Sequence, residues 1–215
     1  MSKQSAAPLW RSYFAAREAS LLGHETYQHF ALFVPLIKKH NDIHILFQVR
    51  SNTVSQPGEV SFPGGKIEKE DPGIAEAAFR EMQEEMGISV DHARILGALD
   101  YMVTPFQCII HPFLGEIDSD APLQINTEEV ADIFTVPVQE LRHMTPKEHT
   151  IYLEVTPEEG FPYHLIPNGE NYNWRTGHVT EQFYEYNGYI IWGLTARILS
   201  HTLSEIAQAE QTDHV

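Results

Sequence analysis

One stretch constrains this chain more than any other: Gly64-Gly65-Lys66-Ile67-Glu68, a spacer, then Arg80-Glu81-Met82-Gln83-Glu84-Glu85-Met86-Gly87-Ile88. Its second half is written as a helix. The alanine-rich run from Ile74 to Phe79 favours that state, no proline interrupts residues 73–86, and Gly87 stands where a helix would stop. At about 100° per residue, Ala75, Ala78, Phe79, Met82 and Met86 share an apolar face. Glu81, Glu84 and Glu85 gather on the other side, because residues three and four apart are neighbours on a helix surface. Three carboxylates crowded together repel one another unless a cation lies between them, and hard oxygen ligands suit Mg²⁺ or Mn²⁺. Arg80, four residues before Glu84, is placed to steady one of them, and the paired glycines let backbone approach a ligand closely. Taken alone, an acidic helix face usually signals only solvation.

The whole string, Gly-Gly, spacer, then Arg-Glu-apolar-x-Glu-Glu-x-Gly-apolar, resembles the Nudix box, the signature of Mg²⁺-dependent hydrolases acting on a nucleoside diphosphate linked to another group. It matches at each fixed position from Arg80 to Ile88. The first half departs: Asp71 stands where a glutamate is usual, and the spacer to Arg80 is one residue longer.

A finer resemblance lies on either side. Leu46-Phe-Gln-Val-Arg-Ser51 followed by Gln56-Pro-Gly-Glu-Val-Ser-Phe-Pro-Gly-Gly65 is similar to the approach to the box in coenzyme A pyrophosphatases, whose members often carry the longer spacer. Tyr189-Ile-Ile-Trp-Gly-Leu-Thr-Ala-Arg-Ile-Leu199 and Asn126-Thr-Glu-Glu-Val130 resemble segments of the same subfamily. The resemblance runs from about residue 28 to 200. A second arginine usual after Arg-Ser is absent, with Val54-Ser55 in its place.

The resemblance implies an α/β fold of the Nudix type, an α/β/α sandwich with a mixed sheet and extra terminal helices. It implies hydrolysis of a pyrophosphate linkage, with coenzyme A or acyl-coenzyme A giving 3′,5′-ADP and (acyl-)4′-phosphopantetheine. ADP-ribose or a nucleotide sugar is the alternative substrate. An alternative of another class is a module that keeps the fold to bind a nucleotide or partner without turnover. Glu81, Glu84 and Glu85, with the Gly65 carbonyl, would hold Mg²⁺ or Mn²⁺; any one of the glutamates could instead be the base, and Arg80 would orient them. Arg50, Ser51, Lys66 and Arg175 are candidate substrate contacts. Arg50 and Lys66 also read as surface charges, Lys66 the more so. Glu129 is either a base delivered by a loop or, with Glu128, a solvated acid. Tyr172 and Trp174 could stack on a base, or anchor their loop to the core.

At 215 residues the chain suits one domain with an added helical piece, and 42% hydrophobic residues mark it as globular. Fourteen Lys and Arg against 30 Asp and Glu leave a formal charge of −16, which argues against unspecific nucleic-acid binding. An anionic substrate must then be met by a metal and a few local cations. The single Cys108 fits a reducing cytoplasm, and no signal-peptide core or membrane-length apolar run is present. The twelve histidines show no metallohydrolase spacing. A homodimer is plausible for the superfamily.

In chain order, residues 1–8 read as frayed, and Leu9–Leu22 as a packing helix in an extension over 1–27. The catalytic domain spans 28–208, with 209–215 a flexible tail. His29–Ile37 and Ile43–Val49 predict a hairpin, Glu59–Phe62 a short strand, Ala93–Thr104 and Ile109–Glu116 two more, and Glu128–Val138 another. Val138–Met144 reads as a helical turn or two. His149–Val155 and Tyr163–Ile166 predict a second hairpin, Asn168–Thr180 a loop, and Gly188–Gln208 a closing helix burying Ile191, Leu194 and Ile198.

Overall fold

The computed structural model describes residues 9–212. A short helix α1 (Leu9–Ala16) precedes the apolar run, which makes an antiparallel hairpin of β1 (Gln28–Lys39) and β2 (Asp42–Arg50). Strand alternation divides β1: Ala31, Phe33 and Ile37 go to one face, Val34 and Leu36 to the other. β3 (Val60–Ser61) adds to β2, and β4 (Gly64–Lys66) adds to β1. The chain then forms α2 (Ile74–Met86), β5 (Ala93–Ala98), β6 (Met102–Val103) and β7 (Cys108–Ile117). β7 lies parallel to β1, a pairing that requires a long crossover, and α2 travels in it. β8 (Val130–Pro137) completes the mixed sheet alongside β2 and leads into α3 (Val138–His143).

The helix α2 sets Ala77, Ala78, Met82 and Met86 against Ala31, Phe33, Ile37 and Leu46 on one face. On the other, α4 (Gly193–Thr212) sets Ala196, Ile198, Leu199 and Leu203 against Val34, Leu36, Ile45 and Phe47. Each fully buried Val, Leu, Ile, Phe or Met among them contributes about 1.5–3 kcal/mol before the entropy of ordering is subtracted. This is the α/β/α sandwich. No helix among the described residues is long and apolar enough to cross a membrane.

Several expectations need correction. The N-terminal helix stops at Ala16 rather than Leu22, and it does not pack: Trp10, Tyr13 and Phe14 are exposed. The strand expected over 93–104 is broken into β5 and β6, with an irregular register between Ile95 and Gly97. The second hairpin does not form. Instead β9 (Lys147–Leu153) pairs with β10 (Gly177–Tyr186), and Tyr163–Leu165 is a single 3₁₀ turn. Pro157, Pro162 and Pro167 punctuate the intervening segment and cannot donate to a ladder.

The closing helix begins at Gly193, not Gly188. Tyr189–Trp192 is β11, the third strand of a small sheet with β9 and β10. Ile191 is therefore buried from a strand, and Leu194 is not buried but 38% exposed. The helix runs on to Thr212, into the segment read as a tail, while residues 1–8 and 213–215 lie outside the described residues.

Candidate active site

The expected box helix forms over Ile74–Met86, and Gly87 ends it at φ 68°, its N–H donating to the Gln83 carbonyl at 2.9 Å. The preceding strand β4 carries the two glycines along the flank of this helix. Gly64 N–H donates to Glu85 Oε2 at 2.9 Å. At Gly65 a Cβ would stand 2.4 Å from the Glu81 carboxylate. The second glycine is thus required by the closeness of a carboxylate to backbone, and the first supplies that cluster with a donor.

Arg80 is the hub. Its Nε and Nη2 donate to Asp71 Oδ1 and Oδ2 at 2.8 and 3.0 Å, a bidentate pair of the strong, planar kind. Its Nη1 donates to Glu81 Oε1 at 2.9 Å and Glu84 Oε2 at 3.1 Å, and its Nη2 also reaches the Lys66 carbonyl at 3.1 Å. Asp71 in turn accepts from Glu68 N–H at 2.8 Å. The guanidinium holds the Asp71 carboxyl below its ordinary range, and the carboxylates push Arg80 further up from its own. The longer spacer is therefore absorbed in the turn at 68–71 without loss of an acidic partner for Arg80.

The three glutamates sit in three environments. Glu85 is only 5% exposed, and burial pushes it up to about 7, against the pull of the Gly64 N–H and a hydrogen bond from the Gln48 side chain. Glu81 is also raised by burial, with Arg80 opposing. The Glu84 side chain is half exposed. Glu129 completes the group: its charge is felt by both Glu81 and Glu85. Its loop is tied down by Asn126, whose N–H donates to the Glu85 carbonyl at 2.9 Å and whose Nδ2 donates to Glu129 Oε1 at 3.1 Å.

The remaining candidates fall elsewhere. Arg50 donates from Nε to the Ser55 carbonyl at 2.7 Å and from Nη2 to Ser55 Oγ at 3.2 Å, closing the loop after β2. Ser51 is buried, its Oγ donating to the Glu128 carbonyl at 2.5 Å, so it links that loop to the Glu129 segment. Lys66 is exposed beside the hub, and Arg175 is exposed on the segment before β10; neither forms an ion pair among the described residues. Trp174 packs edge-on to Phe161 and lies 4.8 Å from Tyr172, so these rings hold their own loop together. Gln48 is the participant that sequence reading leaves out; Gly64 is read there only as half of the glycine pair, and Asp71 only as a departure from the box, without its bidentate role toward Arg80. Gln48 carried a signal, a polar residue at an inward position of an apolar strand.

Whether these residues suit a hard divalent ion can be tested on the donors themselves. Carboxylate oxygens and nearby backbone are the right donor type, and Gly65 brings its backbone closer to the Glu81 carboxylate than any residue with a side chain could. Two buried polar atoms at the site, Gln48 Oε1 and Ser61 Oγ, have no partner. Among the described residues, the one trio of His, Asp and Glu donors drawn within 4.8 Å of each other is His92, Asp118 and Asp120, a largely exposed set near the end of β7. The box glutamates are held wider apart, as expected of anions shared out along one arginine.

Fold, box geometry and family model agree: residues 28–158 match the NUDIX domain model, and the chain belongs to the NUDIX family. Mouse peroxisomal coenzyme A diphosphatase NUDT7 is 33% identical over 115 residues, covering 53% of this chain and 49% of that protein. The chain thus spans about half the length of that relative. An uncharacterized Nudix hydrolase NudL of Photorhabdus laumondii is 29% identical over 181 residues, 84% of this chain and 86% of that one. Among solved structures, the NUDIX domain of Shewanella oneidensis NrtR with ADP ribose aligns at TM-score 0.45 and 17% identity, covering 63% of this chain and 87% of that one.

Proposed function

We propose that this protein is a pyrophosphohydrolase of nucleoside diphosphate derivatives, dependent on Mg²⁺ or Mn²⁺, with coenzyme A or an acyl-coenzyme A as substrate. The observation that carries this reading is the Arg80 hub, which fixes Glu81 and Glu84 on one helical flank while the glycine pair presses backbone against Glu81 and Glu85. The choice of coenzyme A is supported by the sequence flanking the box and by the name of the mouse relative.

Glu81, Glu84, Glu85 and the Gly65 carbonyl would hold the ion, which supplies neutralisation of charge on the diphosphate and acidifies bound water. The residues do the positioning. Arg80 keeps Glu81 and Glu84 from turning to solvent, and Asp71 anchors Arg80 from behind. In the reaction a water oxygen bonds to one phosphorus, the bridging P–O bond breaks, and the water proton passes to a carboxylate. Glu81, Glu84, Glu85 and Glu129 all have the chemistry to take it. Arg50, Lys66 and Arg175 are the cations offered to the phosphates, Arg50 by exchanging its Ser55 contacts for a phosphate oxygen.

The test is turnover of coenzyme A, acetyl-coenzyme A, ADP-ribose and NADH with Mg²⁺ in oxygen-18 water, with products identified by mass. Formation of 3′,5′-ADP and phosphopantetheine is expected, and the labelled fragment reports which phosphorus is attacked. A wide preference for ADP-ribose would defeat the coenzyme A assignment. No turnover of any of the four would leave a binding module.

A further inference from the structure

Strand β2 contains a residue that stability alone does not explain. Gln48 is 1% exposed in the sequence Ile45-Leu46-Phe47-Gln48-Val49, whose first three members are fully buried apolar residues. Alternation puts it on the same face as Leu46, the face that α2 covers. Its side chain hydrogen-bonds Glu85, yet its Oε1 has no partner. Directly across the antiparallel register stands Ser61, whose buried Oγ is also without a partner. Opposed residues in such a pair place their Cβ atoms about 4.5–5.5 Å apart on one face. Two unmet polar atoms are therefore gathered at one place, beside a metal-type carboxylate. Each unmet buried group destabilises the fold. A methionine and an alanine at these positions would fill the space without that cost.

We propose that Gln48 is a positioning residue of the carboxylate site, acting with Ser61. Its amide N–H fixes Glu85, and its oxygen and the Ser61 hydroxyl receive hydrogen bonds from water that accompanies a divalent ion. The chemistry matches the donors. A hard divalent ion such as Mg²⁺ keeps several of its waters, and their hydrogens need acceptors. An amide oxygen accepts only, and a hydroxyl both accepts and donates. This inference rests on the metal-dependent reading above, and its experiment separates the two.

Mn²⁺ binding is measured by electron paramagnetic resonance of the free ion on the full chain, alongside thermal unfolding in chelator. Gln48→Met is expected to weaken Mn²⁺ binding about 10- to 100-fold, the usual cost of losing an outer partner of a metal ligand. Its unfolding midpoint in chelator should be unchanged or higher, because an unmet polar atom has gone. Ser61→Ala, on a two-residue strand, should weaken binding about threefold or more and serves alone should the first variant not fold. Affinity within twofold of wild type in the folded variants overturns the inference. So does a loss of affinity matched by a lower midpoint in chelator, which would make Gln48 merely structural. A wild-type chain that binds no Mn²⁺ sinks the metal-dependent reading itself.

Discussion

Glu85→Gln should stabilise the metal-free protein above neutral pH while abolishing its activity. The Glu85 carboxyl lies between α2 and β4, nearly out of water, and its pKa rises from 4.5 to about 7 because burial penalises the charged form. A carboxyl raised on folding adds stability that is complete below its unfolded pKa, near 4.5, and is lost as pH climbs through the folded value, near 7. Each pH unit of that displacement is worth about 1.4 kcal/mol, so the penalty at pH 8 is about 3 kcal/mol. Glutamine removes the charge, keeps an oxygen for the Gly64 N–H, and escapes the penalty. For a chain of this size about 3 kcal/mol corresponds to roughly 6–12 °C in unfolding midpoint. The assay is thermal unfolding in chelator from pH 5 to 8, wild type against variant. The gap should open with rising pH and shrink toward pH 5. Asp71, lowered by Arg80, has the opposite pH dependence but is common to both proteins and cancels in the difference. A gap that stays constant with pH, or a less stable variant at pH 8, would refute the burial argument.

Glu84→Gln should cut hydrolysis about 100-fold or more, the scale expected when an electrostatic or metal-holding group is lost; its midpoint should hold, because the side chain is half exposed. Asp71→Asn turns the bidentate anionic partner of Arg80 into a neutral one, and Mn²⁺ affinity should fall about tenfold with little change in unfolding. A double-mutant cycle with Arg80→Met should show the two losses to be far from additive. Gly65→Ala drives a Cβ to 2.4 Å from the Glu81 carboxylate; activity should fall about 100-fold, as for a misplacement of about 1 Å at a reacting centre.

What the sequence spelled out locally, the structure repeats closely. The β1–β2 hairpin and the box helix are short-range patterns, an apolar run with its return and an alanine-rich segment ending in glycine, and both form within a few residues of their expected limits. Pairing at long range was not legible. β9 finds β10 across a segment of prolines and 3₁₀ turns, and nothing in Lys147–Leu153 names its partner. Ile190-Ile191-Trp192 suits a strand or the first turn of a buried helix equally, until β10 claims it and Gly193, at φ 60°, starts the helix afresh. At the site, the helical wheel found the three glutamates but could not rank them. Glu85 follows Met82 by three and precedes Met86 by one, so it rides the edge of the buried stripe. Only the approach of β4 and Gln48 decides that it is covered.

That ranking bears on how the protein could meet its substrate. Asp71, Glu81, Glu84, Glu85 and Glu129 against Arg80 leave four formal negative charges when all are ionised. A diphosphate brings further negative charge to a chain already at −16. Arg80 cannot be the cation that receives it, since its fork is committed to Asp71, the Lys66 carbonyl, Glu81 and Glu84. Arg50 is held by Ser55, and Lys66 and Arg175 are exposed charges screened by solvent. Substrate affinity should therefore depend on divalent ion as strongly as turnover does. Titration calorimetry with a non-hydrolysable diphosphate analogue measures this directly. Binding should vanish in chelator and return with Mg²⁺ or Ca²⁺, and equal affinity without any divalent ion would mean that some other cationic surface receives the phosphates.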